Sequence, residues 1–391
     1  MVLTGLDRVF SEYLAELQGK GLGILCHQAS INRNYQHILD LAIEHQRKGE
    51  FTIKAVFGPQ HGLYGQTQDN MIEWEGGTDP DLNIPVFSLY GEHRKPTPEM
   101  LEGIDILLVD LQDVGARYYT FIWTLALCME AAEEAGVNIW VLDRPNPISG
   151  KIVEGNMLQH GFESFVGLRP ILQRHGLTIG EIALYLKGRH YPNVGLKVIP
   201  MRGWERTMFF EDTGLPWMLP SPNMPTPQTA LVYPGQCLLE ATNLSEGRGT
   251  TRPFEIFGAP FLNARELCRY LNAQKLPGVV FQPLQFIPTF HKFQGETCQG
   301  AFIHVTDRLT FRPVLTTFKI LEYIQHTCPQ QFRWKEPPYE YEYNLPPIDI
   351  LCGSDSFRRL LLEKGSLDDY WELCEADSKL FREIAAEFFL Y

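Results

Sequence analysis

The stretch "IDILLVDLQDVGARYYTFIWTLALCMEAAEEAGVNIWVLD" (residues 104–143) decides the fold. It opens on a short, continuous apolar run, "IDILLVDL", and closes on another, "VNIWVLD". Between them lies "RYYTFIWTLALCMEAAEEAG", long enough and apolar enough for a buried helix. Continuous apolar runs of this length suit strands covered on both faces of a parallel sheet. Strand, helix and strand joined by short links make one unit of a doubly wound α/β layer.

The same alternation runs upstream. "GLGILCH" and "FTIKAVF" read as the first two strands, with the helix "RNYQHILDLAIEHQRKG" between them. "IPVFSLY" is a third strand, followed by a short helix at "TPEMLEG". Downstream, "TIGEIALYLKG" starts with a capping box, Thr178 with Glu181, and "LKVIPM" offers one more strand. The stretch "LPWMLPSPNMPTPQTALVYPG" (215–235), dense in proline from 216 to 234, reads as an ordered crossover. Beyond it the order changes to a glycine-rich loop, the helix "NARELCRYLNAQ", strands near "GVVFQPLQFIPTF" and "QGAFIHVTD", and C-terminal helices. The expectation is a Rossmann-like doubly wound parallel sheet in residues 1–228 and a smaller α+β domain in residues 229–391. A chain of 391 residues is long enough for two cores.

Bulk properties exclude several functions. The net charge of -13 argues against nucleic acid or an anionic membrane as partner, because both select a basic face. No apolar run approaches the length of a membrane span. The start, "MVLTGLDRVFSEYLAELQGKG", has neither the basic region nor the apolar stretch of a signal peptide. A cytoplasmic location is therefore expected. The eight cysteines are scattered without a C-x-x-C and read as reduced thiols. No dinucleotide fingerprint follows the first strand, and no phosphate-binding P-loop, H-E-x-x-H or G-x-S-x-G occurs. Neither a cofactor nor a metal is expected.

Ligands of open α/β sheets bind beyond the carboxyl ends of the strands. Here those ends are "HQAS", "GPQHG" (58–62), "YGEHRKP" (90–96), "DLQDVGARYYT" (110–120) and "LDRPNP" (142–147). Five successive polar ends favour a cleft over plain turns. In "GPQHG", flexible glycines and a fixed proline present Gln60 and His61. Carboxylates follow several strands: Glu92, Asp110, Asp113 and Asp143, with Glu246 in the loop "SEGRGTTRP" (245–253). Two carboxyl groups across a sugar are the usual engine of glycoside hydrolysis. Tyr90, Tyr118 and Tyr119 can pack on a sugar face, whereas Trp123 lies inside the apolar helix and reads as core.

These motifs carry a resemblance. "FGPQHG", "IPVFSLYGEHRKPTPEML", "DLQDVGARYYTFIWTL", "VLDRPNP" and "EATNLSEGRGTTRPFEIFGAP" together resemble the NamZ-type exo-β-N-acetylmuramidase family, in order along almost the whole chain. The resemblance implies removal of terminal N-acetylmuramic acid from the non-reducing end of peptidoglycan fragments, in a cleft between the two domains, during cytoplasmic cell wall recycling. The substrate's lactyl carboxylate gives Arg117, Arg144, Arg248 and Arg252 a reason to be near it. Tyr90, Glu92, Tyr118 and Asn243 complete the expected sugar-binding set. Glu246 and Asp113 are the expected catalytic carboxylates, with Asp110 close by and with His61 and Gln60 orienting sugar or water. Assistance by the sugar's 2-acetamido group is a further route.

One position departs from the pattern. The family reads F-[GA]-P-E-H-G, and this chain has Gln60 where the Glu stands. The "TNQTG"-like end of the first strand is "CHQAS" here. An amide cannot donate a proton as an acid does. Three readings stay open at this stage: the acid is Glu246 or Asp113, a neighbour such as Glu92 or His61 has taken over, or the protein binds muramyl sugars without cleaving them. Hydrolysis of another acidic glycan end is a further alternative.

Overall fold

The computed structural model describes residues 1–68, 72–78 and 83–391. The sheet strands are β1 (Gly21–Cys26), β2 (Thr52–Gly58), the two-residue β3 (Gly77–Thr78), β4 (Pro85–Ser88), β5 (Ile106–Asp110) and β6 (Asn138–Leu142). A separate ribbon, β7 (Glu154–Met157) with β8 (Leu172–Arg174), precedes the last sheet strand, β9 (Gly195–Ile199). The sheet order is β3-β4-β2-β1-β5-β6-β9, parallel throughout except for β3 against β4. The chain is thus α/β with a doubly wound, mostly parallel sheet.

Alternation along each strand explains the layers. Ile106 and Leu108 enter one core with Leu22, Ile24 and the helices Gly5–Glu12 and Ile38–Arg47. Leu107 and Val109 enter the other, with the helices Phe121–Ala135 and Ile179–Arg189. Successive strand side chains point to opposite faces, so a strand buried on both sides must be apolar at every position. Every residue of β1 and β5 is buried accordingly.

The remainder is smaller and antiparallel. β10 (Ile256–Ala259), β11 (Val279–Phe286) and β12 (Cys298–Val305) form a sheet in the order β10-β12-β11, beside the helices Ala264–Ala273 and Pro313–Thr327. The helix Leu367–Ala385 then leads back to the first part. There the Tyr391 hydroxyl donates to Asp143 Oδ2 at 2.7 Å and accepts from the Met201 amide.

Some elements differ from the sequence reading. The first long helix starts at Ile38, where the His37 side chain caps it, so residues 33–36 form a turn. "TPEMLEG" makes only a single 3₁₀ turn, Glu99–Leu101. The proline-dense crossover ends in a real helix, Pro227–Gln236, with Pro234 inside it. Thr226 caps it by accepting from the Thr229 amide, and Pro227 sits in the first turn, where its missing N–H costs nothing.

Candidate functional site

The strand order reverses between β1 and β5, the usual position of a ligand crevice. This chain fills that crevice with its own bonds. His27, next after β1, is buried; its Nε2 accepts from the Gln112 amide at 3.0 Å and its Nδ1 lies 3.3 Å from the Pro220 carbonyl. Burial, aided by the charge of Arg144, holds this imidazole well below its usual pKa, which matches its accepting role. Asp110 is equally engaged. Arg144 grips it through Nε at 2.5 Å and Nη2 at 2.8 Å, and donates to the Ile31 carbonyl as well.

The cleft opens one strand further on, beyond β2, where the two parts of the chain meet. Its walls enclose about 410 Å³ of space, open solvent at the mouth included. The end of β2 supplies Gln60 and His61 to its wall. Gly58 is required there because a Cβ would lie 2.5 Å from the Trp74 indole, whose Nε1 donates to the Pro59 carbonyl. His61 itself adopts a left-handed φ of 72°, with its Nδ1 2.8 Å from the Thr67 carbonyl. Tyr118, Tyr119 and Thr120 come from the turn before the helix Phe121–Ala135. Ser221 and Asn223 of the proline-dense segment close another side.

The C-terminal part completes the wall with Tyr233, Glu240, Arg248, Tyr339 and Glu340. Two of these are carboxyl groups with contrasting partners. Glu240 accepts from Arg248 Nη2 at 2.8 Å and from the Tyr339 hydroxyl at 2.8 Å, an ion pair inside the protein. Among the described residues, no cation is bonded to Glu340. Burial pushes its carboxyl up to about 7, with the charge of Glu240 adding to the effect, against the stabilising bonds from Tyr90 and Gln60 and the charge of Arg248. The first of these bonds runs from the Tyr90 hydroxyl to Glu340 Oε2 at 2.8 Å. Glu340 and Tyr341 both have positive φ, 44° and 67°, and such strain in bulky residues concentrates at functional sites. The ring of Tyr341 is packed between Tyr90 and the Arg94 guanidinium, which lies 3.4 Å from its centroid.

Gln60 is tied into this wall at both ends. Its Oε1 accepts from the Thr120 hydroxyl at 2.6 Å and its Nε2 donates to the Tyr90 hydroxyl at 3.0 Å. The structure therefore gathers Gln60, His61, Tyr90, Tyr118 and Arg248 of the expected set at one place.

The other expected residues stand elsewhere. Glu246 does not line the cleft. It is fully buried behind Arg248, 2.9 Å from Lys292 Nζ, 3.2 Å from Arg248 Nε and 3.3 Å from His291 Nδ1. Burial alone would raise its pKa, but Lys292, the His291 imidazole and Arg248 outweigh it and hold the carboxyl far below the usual range. Asp113 closes the turn after β5, accepting from the Gly115 amide at 2.6 Å and facing His175 at 3.3 Å. Arg117 donates to three backbone carbonyls, of Asn156, Ile171 and Leu351. Asn243 pairs with the backbone of Gln331 and Arg333, and Arg252 lies half-exposed beside Glu255. Glu92 is exposed on an open groove with Trp74 and His93.

Sequence reasoning passed over Glu240 and Glu340. Glu240 opens the motif "EATNLSEGRG". Glu340 lies in "EPPYEYEY" (336–343), where alternating Glu and Tyr behind two prolines is an unusual signal for a surface loop. Among the described residues, no group of three or more His, Cys, Asp or Glu side chains is disposed to hold a metal ion.

Comparison with known proteins bears on this cleft. Residues 22–228 match the family model described as "Exo-beta-N-acetylmuramidase NamZ, N-terminal", and residues 231–391 match its C-terminal counterpart. The chain is 45% identical over 390 residues to the "Peptidoglycan beta-N-acetylmuramidase NamZ" of Bacillus subtilis (strain 168), covering all of this chain and 91% of that protein. Crystal structures of two DUF1343 family proteins from Bacteroides fragilis superpose on it. One has a TM-score of 0.91 at 32% identity and the other 0.78 at 26%, each covering 100% of this chain and 99% of the other.

Proposed function

The chain belongs to the NamZ exo-β-N-acetylmuramidase family, and from that premise we propose that it hydrolyses terminal N-acetylmuramic acid from the non-reducing end of peptidoglycan fragments, with Glu340 as its acid. The observation that carries this reading is the pair of unlike carboxyl groups on one cleft: Glu340, buried and raised to about 7, and Glu240, held by Arg248 and Tyr339. A carboxyl group that burial keeps protonated suits the acid, and one bonded to a guanidinium suits the stabilising anion. Glu340 gives its proton to the glycosidic oxygen as the bond to the anomeric carbon breaks. Glu240 stabilises the positive charge that develops there, and water then adds its oxygen to that carbon and returns a proton to the ionised Glu340. Tyr118, Tyr119 and Tyr233 offer ring surface to the sugar, and Arg248 contributes the positive charge that a lactyl carboxylate favours. With a protonated carboxyl already on the cleft, Gln60 does not call for a non-catalytic reading.

The proposal extends to place and organisation. All eight cysteines are free thiols, which suits a reducing compartment, and none of the described helices is long and apolar enough to cross a membrane. We accordingly assign the protein to cytoplasmic recycling of wall fragments, with a division of the chain near residue 228; recovery of the protein outside the cytoplasm on cell fractionation would overturn the first.

Release of 4-nitrophenol from its β-N-acetylmuramic acid glycoside, with the β-N-acetylglucosamine glycoside as control, tests the reaction. Wild type is expected to turn over the muramic substrate only. Glu340→Gln is expected to lower kcat by about 10²–10⁴. Sugar binding without turnover in wild type favours a binding protein; full turnover in Glu340→Gln moves the acid elsewhere.

A further inference from the structure

The segment that closes one side of the cleft is short of donors of its own. Residues 216–225 include four prolines, at 216, 220, 222 and 225, and proline has no N–H to donate. Carbonyls of such a segment draw donors from outside it. Two come from the end of β1. His27 and Gln28 are adjacent in sequence and engage two adjacent carbonyls. His27 Nδ1 lies 3.3 Å from the Pro220 carbonyl, and Gln28 Nε2 donates to the Leu219 carbonyl at 3.0 Å. The other end of the imidazole gives the first bond its direction. The Gln112 backbone amide can only donate, so His27 Nε2 accepts from it and the ring proton sits on Nδ1, facing Pro220. A third hold comes from the loop after β2, because Asn223 Nδ2 donates to the Gln68 carbonyl at 2.8 Å.

Both side chains from the end of β1 are themselves fixed. The His27 ring is buried and meets the Phe121 ring edge-on, with centroids 4.8 Å apart. The Gln28 amide is packed against Gly65, where a Cβ would lie 2.5 Å from Nε2. Its Oε1 is buried with no hydrogen-bond partner among the described residues. An unpaired buried acceptor is costly, so the bond to the Leu219 carbonyl is what sets the way this amide is turned.

Held from that side, the segment brings Ser221 and Asn223 to the cleft wall. A hydroxyl and an amide are the groups that fix the orientation of a polar ligand such as a sugar. We propose that His27 and Gln28 are positioning residues that hold residues 219–224 against the cleft, so that Ser221 and Asn223 bind the sugar and set its affinity. The proposal rests on the muramidase reading for the sugar it names, and no part of it requires Glu340 to be the acid.

The test is a double-mutant cycle. Gln28→Met keeps the length of the side chain and removes the donor. The contact variant carries Ser221→Ala and Asn223→Ala together. Each is expected to raise KM for the 4-nitrophenyl β-N-acetylmuramic acid glycoside about three- to tenfold, with kcat changed about twofold or less. Combined, they should raise KM no further than the contact variant does alone, because the segment then has no sugar-binding group left to misplace. An unchanged KM in Gln28→Met overturns the proposal. Effects that multiply overturn it too, since a general loss of structure acts alike in both backgrounds.

His27 is tested by the reach of its replacements. Asn puts its amide at the place of Nδ1, and Gln puts it at the place of Nε2. His27→Asn should therefore keep more affinity than His27→Gln; the reverse order would tie His27 to Gln112 alone and remove it from the proposal. Should neither variant unfold cooperatively, the Gln28 cycle carries the test. Calorimetric binding of free N-acetylmuramic acid runs the same cycle without turnover. A wild type that binds without cleaving, with the coupling present, would sink the hydrolase reading and leave the positioning role standing. A wild type that neither binds nor cleaves would overturn both.

Discussion

Glu340 and Glu246 are both buried glutamates within one part of the chain, yet their protons behave oppositely. Around Glu246 stand Lys292, Arg248 and His291, all within 3.3 Å. Around Glu340 the donors are the neutral Tyr90 and Gln60, and the neighbouring charge of Glu240, of the wrong sign, outweighs the attraction of Arg248. Burial penalises charge at both sites, and only the donors differ. The difference teaches which one can work as an acid. A carboxyl locked in its ionised form has no proton to give at neutral pH, whereas one raised to about 7 has. Arg248 joins the two regions, since it contacts both Glu246 and Glu240. Glu246 thereby fixes the cation that fixes the cleft anion.

The largest effect that separates the two is on stability. Glu246→Gln leaves Lys292 and Arg248 buried against a neutral amide, and breaking one partner of a buried ion pair costs about 3–5 kcal/mol. Chemical denaturation at neutral pH should show a loss of that size, while Glu340→Gln should show none. A stable Glu246→Gln variant that has lost turnover would break the comparison by returning Glu246 to the chemistry.

The next effect is a pH window of opposite sign. A free glutamate titrates at about 4.3. Glu246 lies below that when folded, so its stabilisation is full above about 4.3 and is lost as pH falls through the folded value. Glu340 is raised to about 7. Between the two values the folded state holds a proton that the unfolded state has released, so stability falls as pH rises through this window. The total is roughly 4 kcal/mol. Asp143 and Glu154, also raised to about 7 by burial, slope the same way. The quantity to measure is therefore the difference between wild type and Glu340→Gln, with the variant gaining on wild type from acid to neutral pH. A constant difference would show that Glu340 is not raised.

How much of this was legible in the sequence depends on what each residue touches. The parallel sheet was legible because burial on two faces demands unbroken apolar runs, as in β1 and β5. Gln60 and His61 were legible because "GPQHG" ends a strand with more chemistry than a turn requires. Asp110, Arg144 and Arg117 look the same in sequence as ligand-binding residues. In the folded chain they close on each other and on backbone carbonyls, and a polar side chain does not announce whether its partner is a ligand or the protein. Glu340 was illegible for a different reason. It sits in irregular backbone with no periodicity to read, and only tertiary closure brings it to Tyr90 and Gln60.

The smallest effect sharpens the Glu246 side. His291 is its outermost partner, 3.3 Å away and partly exposed, while Lys292 is closer and also bonded to the Leu239 and Leu244 carbonyls. Solvent screens a partly exposed pair, so His291→Ala should cost about 1 kcal/mol or less. Lys292→Met removes the closer charge and leaves those two carbonyls without their donor, so it should cost more. The order Lys292→Met above His291→Ala, read from denaturation midpoints at neutral pH, is what a clamp built around Lys292 requires. An equal or reversed order would mean that the imidazole, and with it the protonation of His291, carries the charge balance at Glu246.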